Sequence, residues 1–298
     1  MYQEIAIVAP TASGKTAVAI SLAKKLNCVV LSLDSLAVYK KIDIASAKPT
    51  SKEMDGVVHF GIDKVYPDQK FDVVEFIQEY NLAKQYAQEH KQNLIIVGGT
   101  GFYLKSLLNG LSPTPMIDQE VKSKTKEMLQ NLEQSYIYLS KIDPLYMEKI
   151  KPQDKYRIEK ALELYLQTNT APTQYFKLNK PKPIINDLKI YEIETNPDIL
   201  RQRIQQRTKL MINSGIIDEA IELEHNYTRE PNCFSSIGIT EVFDYLDSKL
   251  DKYQLEQKIY IHTSQLAKRQ RSFNRTQFDN ITKSTLDKIE EIIIKDFK

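Results

Sequence analysis

The chain has 298 residues, of which 42% are hydrophobic and 27% charged, with a formal net charge of +2. That balance suits a soluble enzyme and excludes binding to nucleic acid by bulk charge, so any such role needs a local basic patch. No window approaches the ~18 uninterrupted apolar residues of a membrane span, and the two cysteines, Cys28 and Cys233, stand too far apart in sequence for a CxxC-type zinc site.

The elements follow in chain order. The apolar run Glu4 to Ala9 ends at a glycine- and serine-bearing loop. Lys15 to Leu26 reads as a helix with Val18, Leu22 and Leu26 on one face. Cys28 to Leu33 is a buried strand ending on Asp34, with Cys28 a reduced thiol inside it. Phe71 to His90 is a helix, Asn93 to Val97 a strand, and Gly98 to Gly101 a loop leading into a helix near Phe102. Strand, loop and helix in repetition predict an α/β fold, a P-loop NTPase-like parallel sheet with helices on both faces. Functional loops then belong at the C-terminal ends of the strands.

The pattern breaks at Leu111 to Pro115, and the charged, helical stretch up to "NKPKPIIND" has no strand candidate. Its proline-rich borders predict hinges around an inserted all-α domain, residues 112–183, within a core made of 1–111 and 184–298. Leu188 to Glu194 resumes the sheet. The remainder is expected to be mostly helical: Pro197 to Asn213, Ile217 to His225, Asp251 to Arg275, and a last helix after Ser284. No basic leader precedes the first strand, so the expected compartment is the cytoplasm, and no feature marks a self-association surface, so a monomer is expected.

"APTASGKT" comprises Ala9, Pro10, Thr11, Ala12, Ser13, Gly14, Lys15 and Thr16. It keeps the glycine, lysine and threonine of a phosphate loop, after a strand and opening a helix. Loop amides and the helix N-terminus would cradle phosphate oxygens, Lys15 would neutralise charge, and Thr16 would ligate Mg²⁺. Ala9 stands where the strict pattern has glycine. The loop alone leaves open whether the phosphate is that of a bound nucleotide such as ATP.

Asp34 falls at a strand end beside this loop. A carboxylate there suits Mg²⁺ binding or general-base work, with a helix or turn cap as the lesser alternative, since Asp-Ser is a good one. Thr100, in "VGGTG", would present its hydroxyl to the same crevice, or simply belong to a tight turn.

"PTASGKT", "LDSLAVYKKIDIASAKP", "HFGID", "VGGTGFYLKSLLNGL", "RIEKALELY", "RIQQRTKLMINSGIIDE" and "LAKRQRSFNR" occur in this order. Together they resemble the bacterial tRNA dimethylallyltransferases, from about residue 4 to about residue 278. The resemblance implies transfer of a dimethylallyl group from dimethylallyl diphosphate to the exocyclic amine of the adenosine immediately 3′ of the anticodon, in tRNAs that read codons beginning with U. The phosphate loop would then hold a diphosphate leaving group. By the same resemblance Lys15, Thr16 with Mg²⁺, and Arg207 form the anion clamp, Asp34 takes the proton, and Thr100 assists. Arg203, four residues before Arg207, shares its helical face, which would otherwise read as solvated.

The resemblance also implies RNA contacts. Asp34, Ser35, Leu36 and Ala37 would read the flipped base. Lys122, Tyr156, Arg157 and Lys160 of the inserted domain, which is expected to swing onto the anticodon stem, would meet the backbone with Lys268, Arg269, Arg271 and Arg275. Phe273 would offer a stacking face. The chain departs from family habit at Ala37, where glutamine or leucine is usual, at Phe273, where tryptophan is usual, and at Ser235, Ile239 and Thr240. The main alternative is a P-loop kinase for a small molecule or nucleotide. It explains the loop and Asp34 and leaves the insertion and the basic C-terminal stretch without a role. A prenyltransferase for free adenine nucleotide and a non-catalytic RNA-binding protein are further alternatives.

Overall fold

The computed structural model describes residues 2–297. Its sheet has six strands, all parallel, in the order β3-β2-β4-β1-β5-β6. They are β1 (Glu4–Val8), β2 (Cys28–Leu33), β3 (His59–Phe60), β4 (Asn93–Gly98), β5 (Lys189–Glu194) and β6 (Ile281–Thr285). The short apolar strands explain why both faces are covered. Ile5, Ile7, Val30, Ile95, Val97, Tyr191 and Ile193 pack in one cluster with the helices Lys15–Lys25 and Ile289–Asp296. The alternate residues Ala6, Val8, Val29, Leu31, Leu94 and Ile96 are equally buried, and strand periodicity turns them to the opposite face. There the helix Val73–Glu89 brings the fully buried Phe76 and Tyr80.

Register decides where the loops emerge. Val8 and Leu33 both pair with Gly98, and Val8 also pairs with Glu192. The segments after β1, β2 and β4 therefore leave the sheet side by side, where neighbouring strands continue in different directions along the chain. Gly98 permits this closeness: a Cβ there would lie 2.3 Å from the Leu33 carbonyl oxygen.

The chain divides into two units, residues 1–108 with 185–298, and residues 109–184. The second is all helical, with the helices Gln119–Met128, Leu132–Ile142, Pro144–Met147, Lys155–Thr168 and Pro172–Leu178. It has its own core of Leu139, Met147, Ile150, Ile158, Ala161 and Leu162. No helix among the described residues is long and apolar enough to cross a membrane.

Two strands depart from the sequence expectation. β3 has two residues, too few for a periodic signal, and β6 precedes the last helix where mostly helix was expected. Among the described residues β6 pairs with β5 alone, at the sheet edge, and is largely exposed, so ITKST carries no buried apolar run. Its β-branched residues suit an edge strand. The helix Ile239–Leu246 was also not anticipated.

Gly98→Ala is expected to destabilise the protein by about 1–3 kcal/mol, because the new methyl meets backbone, which cannot step aside. A urea midpoint equal to that of the wild type would contradict the packing described.

Candidate active site

The phosphate loop connects β1 to the helix Lys15–Lys25. Ala9 is fully buried and has a negative φ, so it needs none of glycine's freedom. Positive φ occurs instead at Ala12 (62°) and Gly14 (91°). For alanine the left-handed region costs about 1–2 kcal/mol. The helix starts at Gly14 with no side-chain cap and no acidic residue in its first turn. Its free N–H groups and the positive end of its dipole thus face the loop unneutralised.

Two arginines from the helix Pro197–Asn213 reach this loop. Arg207 donates Nη1–H to Thr11 Oγ1 at 3.1 Å, and Arg203 donates Nη1–H to the Ser13 carbonyl at 3.1 Å. Their shared helix face is therefore half-buried against the loop, not solvated. Burial pushes the Lys15 ammonium down to about 8, Arg207 adds repulsion, and Asp34 partly opposes both. Burial also pulls Arg207 down, again opposed by Asp34. Two desolvated cations share one carboxylate, an arrangement that a polyanion would complete.

Asp34 follows β2. Its Oδ1 accepts the Leu36 N–H at 2.8 Å and the Ala37 N–H at 3.2 Å. That oxygen is a turn cap. The other oxygen accepts no hydrogen bond among the described residues. Thr100 joins the adjacent turn to this one: its Oγ1 accepts the Ser35 N–H at 3.3 Å, and its own N–H reaches the Leu33 carbonyl at 3.0 Å. The three loops enclose a cavity of about 370 Å³ lined by Lys15, Thr16, Asp34, Thr100, Arg207 and Arg269, with Ser35 to Ala37 on its wall. A second cavity of about 750 Å³ shares Lys15, Thr16, Lys48 and Arg207 with it. The same cations thus front two recesses.

Three residues quoted in the sequence motifs had no role there and gain one here. His59, of "HFGID", lines the first cavity. Its Nδ1 bonds the Val57 carbonyl at 2.8 Å, its Nε2 is buried without a partner, and burial lowers its pKa, which keeps the ring neutral. Lys48, of "AKP", is nearly buried and donates to the Tyr39 carbonyl at 2.6 Å, Asp43 at 2.7 Å and Asp63 at 2.6 Å. Glu219, of "GIIDE", accepts the consecutive N–H groups of Asp43, Ile44 and Ala45 at 2.8, 2.7 and 2.9 Å. Lys48 and Glu219 fix the segment that carries Ala45 to Pro49 into the cavity wall.

A family model described as IPP transferase matches residues 37–277. The chain belongs to the IPP transferase family. It is 49% identical over 294 residues to a tRNA dimethylallyltransferase of a Sulfurovum species, covering 98% of both chains. It is 52% identical over 295 residues to that of Aliarcobacter butzleri, covering 99% of both. Among solved structures, the full-length tRNA isopentenylpyrophosphate transferase of Bacillus halodurans is 30% identical with a TM-score of 0.72, over 100% of this chain and 97% of that one. A eukaryotic dimethylallyltransferase solved acting on tRNA is 26% identical with a TM-score of 0.83, over 95% of this chain and 74% of that one.

The remaining residues that the IPP transferase resemblance singled out are dispersed. Lys268, Arg271 and Arg275 line a separate cavity of about 440 Å³ with Pro10, Glu192 and Lys283. Phe273 is half-buried: a Cβ on Gly101 would come within 2.5 Å of its ring, and Phe278 meets it edge-on at 6.0 Å. In the helical unit, Lys122 lines a recess with Lys126 and Lys155. Tyr156 is exposed, Arg157 pairs with Asp154, and Lys160 pairs with Glu163 at 2.8 Å.

The Lys15 ammonium sets a pH dependence for anion binding. In the free protein it loses its proton above about 8, whereas a bound polyanion holds the proton on. Affinity for inorganic diphosphate, taken as the ratio of wild type to Lys15→Met to cancel the ligand's own ionisation, is expected to fall as pH rises through about 8, approaching tenfold per pH unit. Calorimetric titration at a series of pH values measures it, and a flat ratio would count against Lys15 as an anion ligand.

Proposed function

We propose that the chain transfers the dimethylallyl group of dimethylallyl diphosphate to the exocyclic amine of the adenosine at position 37, immediately 3′ of the anticodon, in tRNAs that read codons beginning with U. The single observation that carries this reading is near-full-length identity of about half to curated tRNA dimethylallyltransferases. The geometry supplies its chemistry. Adenine's amine is a weak nucleophile, and diphosphate leaves only if its growing charge is stabilised. Lys15, Arg207, the loop amides and the uncapped helix start stabilise that charge.

In this reading the amine nitrogen attacks the first carbon of the allyl group. The carbon–oxygen bond breaks, and its electron pair departs on diphosphate. The amine proton passes to Asp34 through the oxygen that does not cap the turn. Thr100 holds the Ser35 amide, and with it the Asp34 turn, in place. Magnesium, when bound, neutralises diphosphate charge. The Thr16 hydroxyl, which lines both cavities beside Lys15, would hold such an ion, because magnesium characteristically takes few protein ligands beside phosphate oxygens and water. Among the described residues there is no cage of three or more His, Cys, Asp or Glu side chains.

The flipped base would meet Ser35, Leu36 and Ala37 on the cavity wall, with Arg269 beside them. Ala37 offers no side-chain hydrogen bond, so backbone groups and Ser35 read the base. Lys268, Arg271 and Arg275 would take phosphates, as would Lys122, Arg157 and Lys160 with Tyr156 in the helical unit. Phe273 would meet RNA only through the edge that its packing leaves exposed. The helical unit is proposed to swing onto the anticodon stem. The enzyme would act as a cytoplasmic monomer with no obligate protein partner. A small-molecule kinase has no use for this RNA-facing surface and is the less favoured reading.

Asp34→Asn keeps the turn cap and removes the base. It is expected to reduce kcat on an anticodon stem-loop by ~10²–10⁴-fold with little change in KM for dimethylallyl diphosphate. Replacing the target adenosine by guanosine should abolish transfer. A variant with wild-type kcat would remove Asp34 from the mechanism, and label transferred to free AMP would move the chain to the nucleotide-modifying prenyltransferases. Bound stem-loop should also protect the borders of the helical unit from limited proteolysis; equal cleavage with and without RNA would contradict the swing.

A further inference from the structure

The basic stretch Lys268 to Arg275 reads from sequence as one RNA-facing run. The long helix Lys252–Gln277 divides it among separate surroundings. Lys268, Arg271 and Arg275 face one cavity, Arg269 and Gln270 line another, and Phe273 packs on Gly101. Gln270, in the middle of the run, turns toward the phosphate loop. Its Oε1 accepts the Thr11 N–H at 2.9 Å. A Cβ on Gly99 would lie 2.2 Å from its Nε2. The amide is thus wedged between the loop after β1 and the loop after β4. Its orientation is fixed by chemistry, since only the oxygen can accept from Thr11.

We propose that Gln270 is a positioning residue that holds the phosphate loop in its diphosphate-binding shape, and that it is not an RNA contact. The deciding feature is Ala12. A non-glycine residue at φ 62° persists only where its neighbours over-determine it. Three tethers flank it: Gln270 and Arg207 on Thr11, and Arg203 on Ser13. Pro10 has no N–H to contribute, so the Thr11 N–H is the first donor after Ala9 available to anchor the turn. Peptide planarity means that holding this N–H also points the Pro10 carbonyl away from Gln270. The arginine tethers carry charge and are drawn to an incoming anion. The Gln270 tether is neutral and keeps its partner when the anion arrives.

The inference rests on the functional reading only in taking diphosphate as the loop's ligand, and its test does not need turnover. Gln270→Met preserves volume and removes the acceptor. The variant is expected to lose protection of the Thr11 amide in hydrogen exchange. Its Kd for inorganic diphosphate should rise about tenfold, equivalent to about 1.4 kcal/mol. Its Kd for an anticodon stem-loop should stay within about twofold of wild type, well under 1.4 kcal/mol. Unchanged diphosphate affinity overturns the proposal, whether or not the variant melts at a lower temperature. Weakened stem-loop binding with unchanged diphosphate binding overturns it in favour of an RNA contact. If wild-type protein binds diphosphate and transfers no dimethylallyl group to RNA, the functional reading fails and the loop assignment stands.

Discussion

The site depends on a short loop held in a conformation that its own residues do not favour. Ala12 sits in the left-handed region, and the residues on either side of it are fastened by side chains from helices 190 or more positions further along the chain. The phosphate loop is local in sequence, but its shape is a property of the whole α/β unit. This arrangement places Lys15 and Arg207 together before any ligand arrives. Their mutual repulsion and desolvation are unfavourable in the free protein and are relieved by a polyanion. That is preorganisation in the electrostatic sense: the charge is already aimed when the leaving group develops its own.

The features legible in the sequence were those with local signatures. The repeated strand–loop–helix order predicted the parallel sheet, and "ASGKT" after an apolar run placed the phosphate loop. Asp34 was legible as a strand-end carboxylate in three roles, metal ligand, base or turn cap, and the structure gives one oxygen to the turn cap. The features that stayed hidden depend on contacts distant in sequence. Nothing in "KRQRSFNR" separates Gln270 from its neighbours, because charge density is read along the chain while packing is read around a helix. Arg203 and Arg207 likewise look like a solvated face until the loop is docked on it. β6 is an exposed edge with no apolar run. His59, Lys48 and Glu219 were part of a recognisable pattern without a readable chemistry, since their partners are a cavity, backbone groups and, for Lys48, the Asp43 and Asp63 carboxylates that only the fold brings to it.

Phosphate loops usually hold a group that is itself transferred. Here the elements opposite the loop argue for a different division of labour. In the proposed reaction the loop, Lys15 and Arg207 grip an anion. Asp34 faces the same cavity from the next strand end, where a proton acceptor serves an attacking amine. In such a substitution the bond that breaks lies between carbon and oxygen, and the phosphorus atoms keep all their bonds. In that proposed reaction the loop acts as a leaving-group holder.

The most direct test of that claim follows the two halves of the donor separately. Dimethylallyl diphosphate labelled with ¹⁴C in the allyl group and ³²P in the diphosphate would be incubated with protein, magnesium, an unmodified anticodon stem-loop and ATP. The account predicts ¹⁴C on the RNA, ³²P released wholly as inorganic diphosphate, and ATP left intact. Phosphorus label on an acceptor, or ATP consumed in step with product, would contradict it.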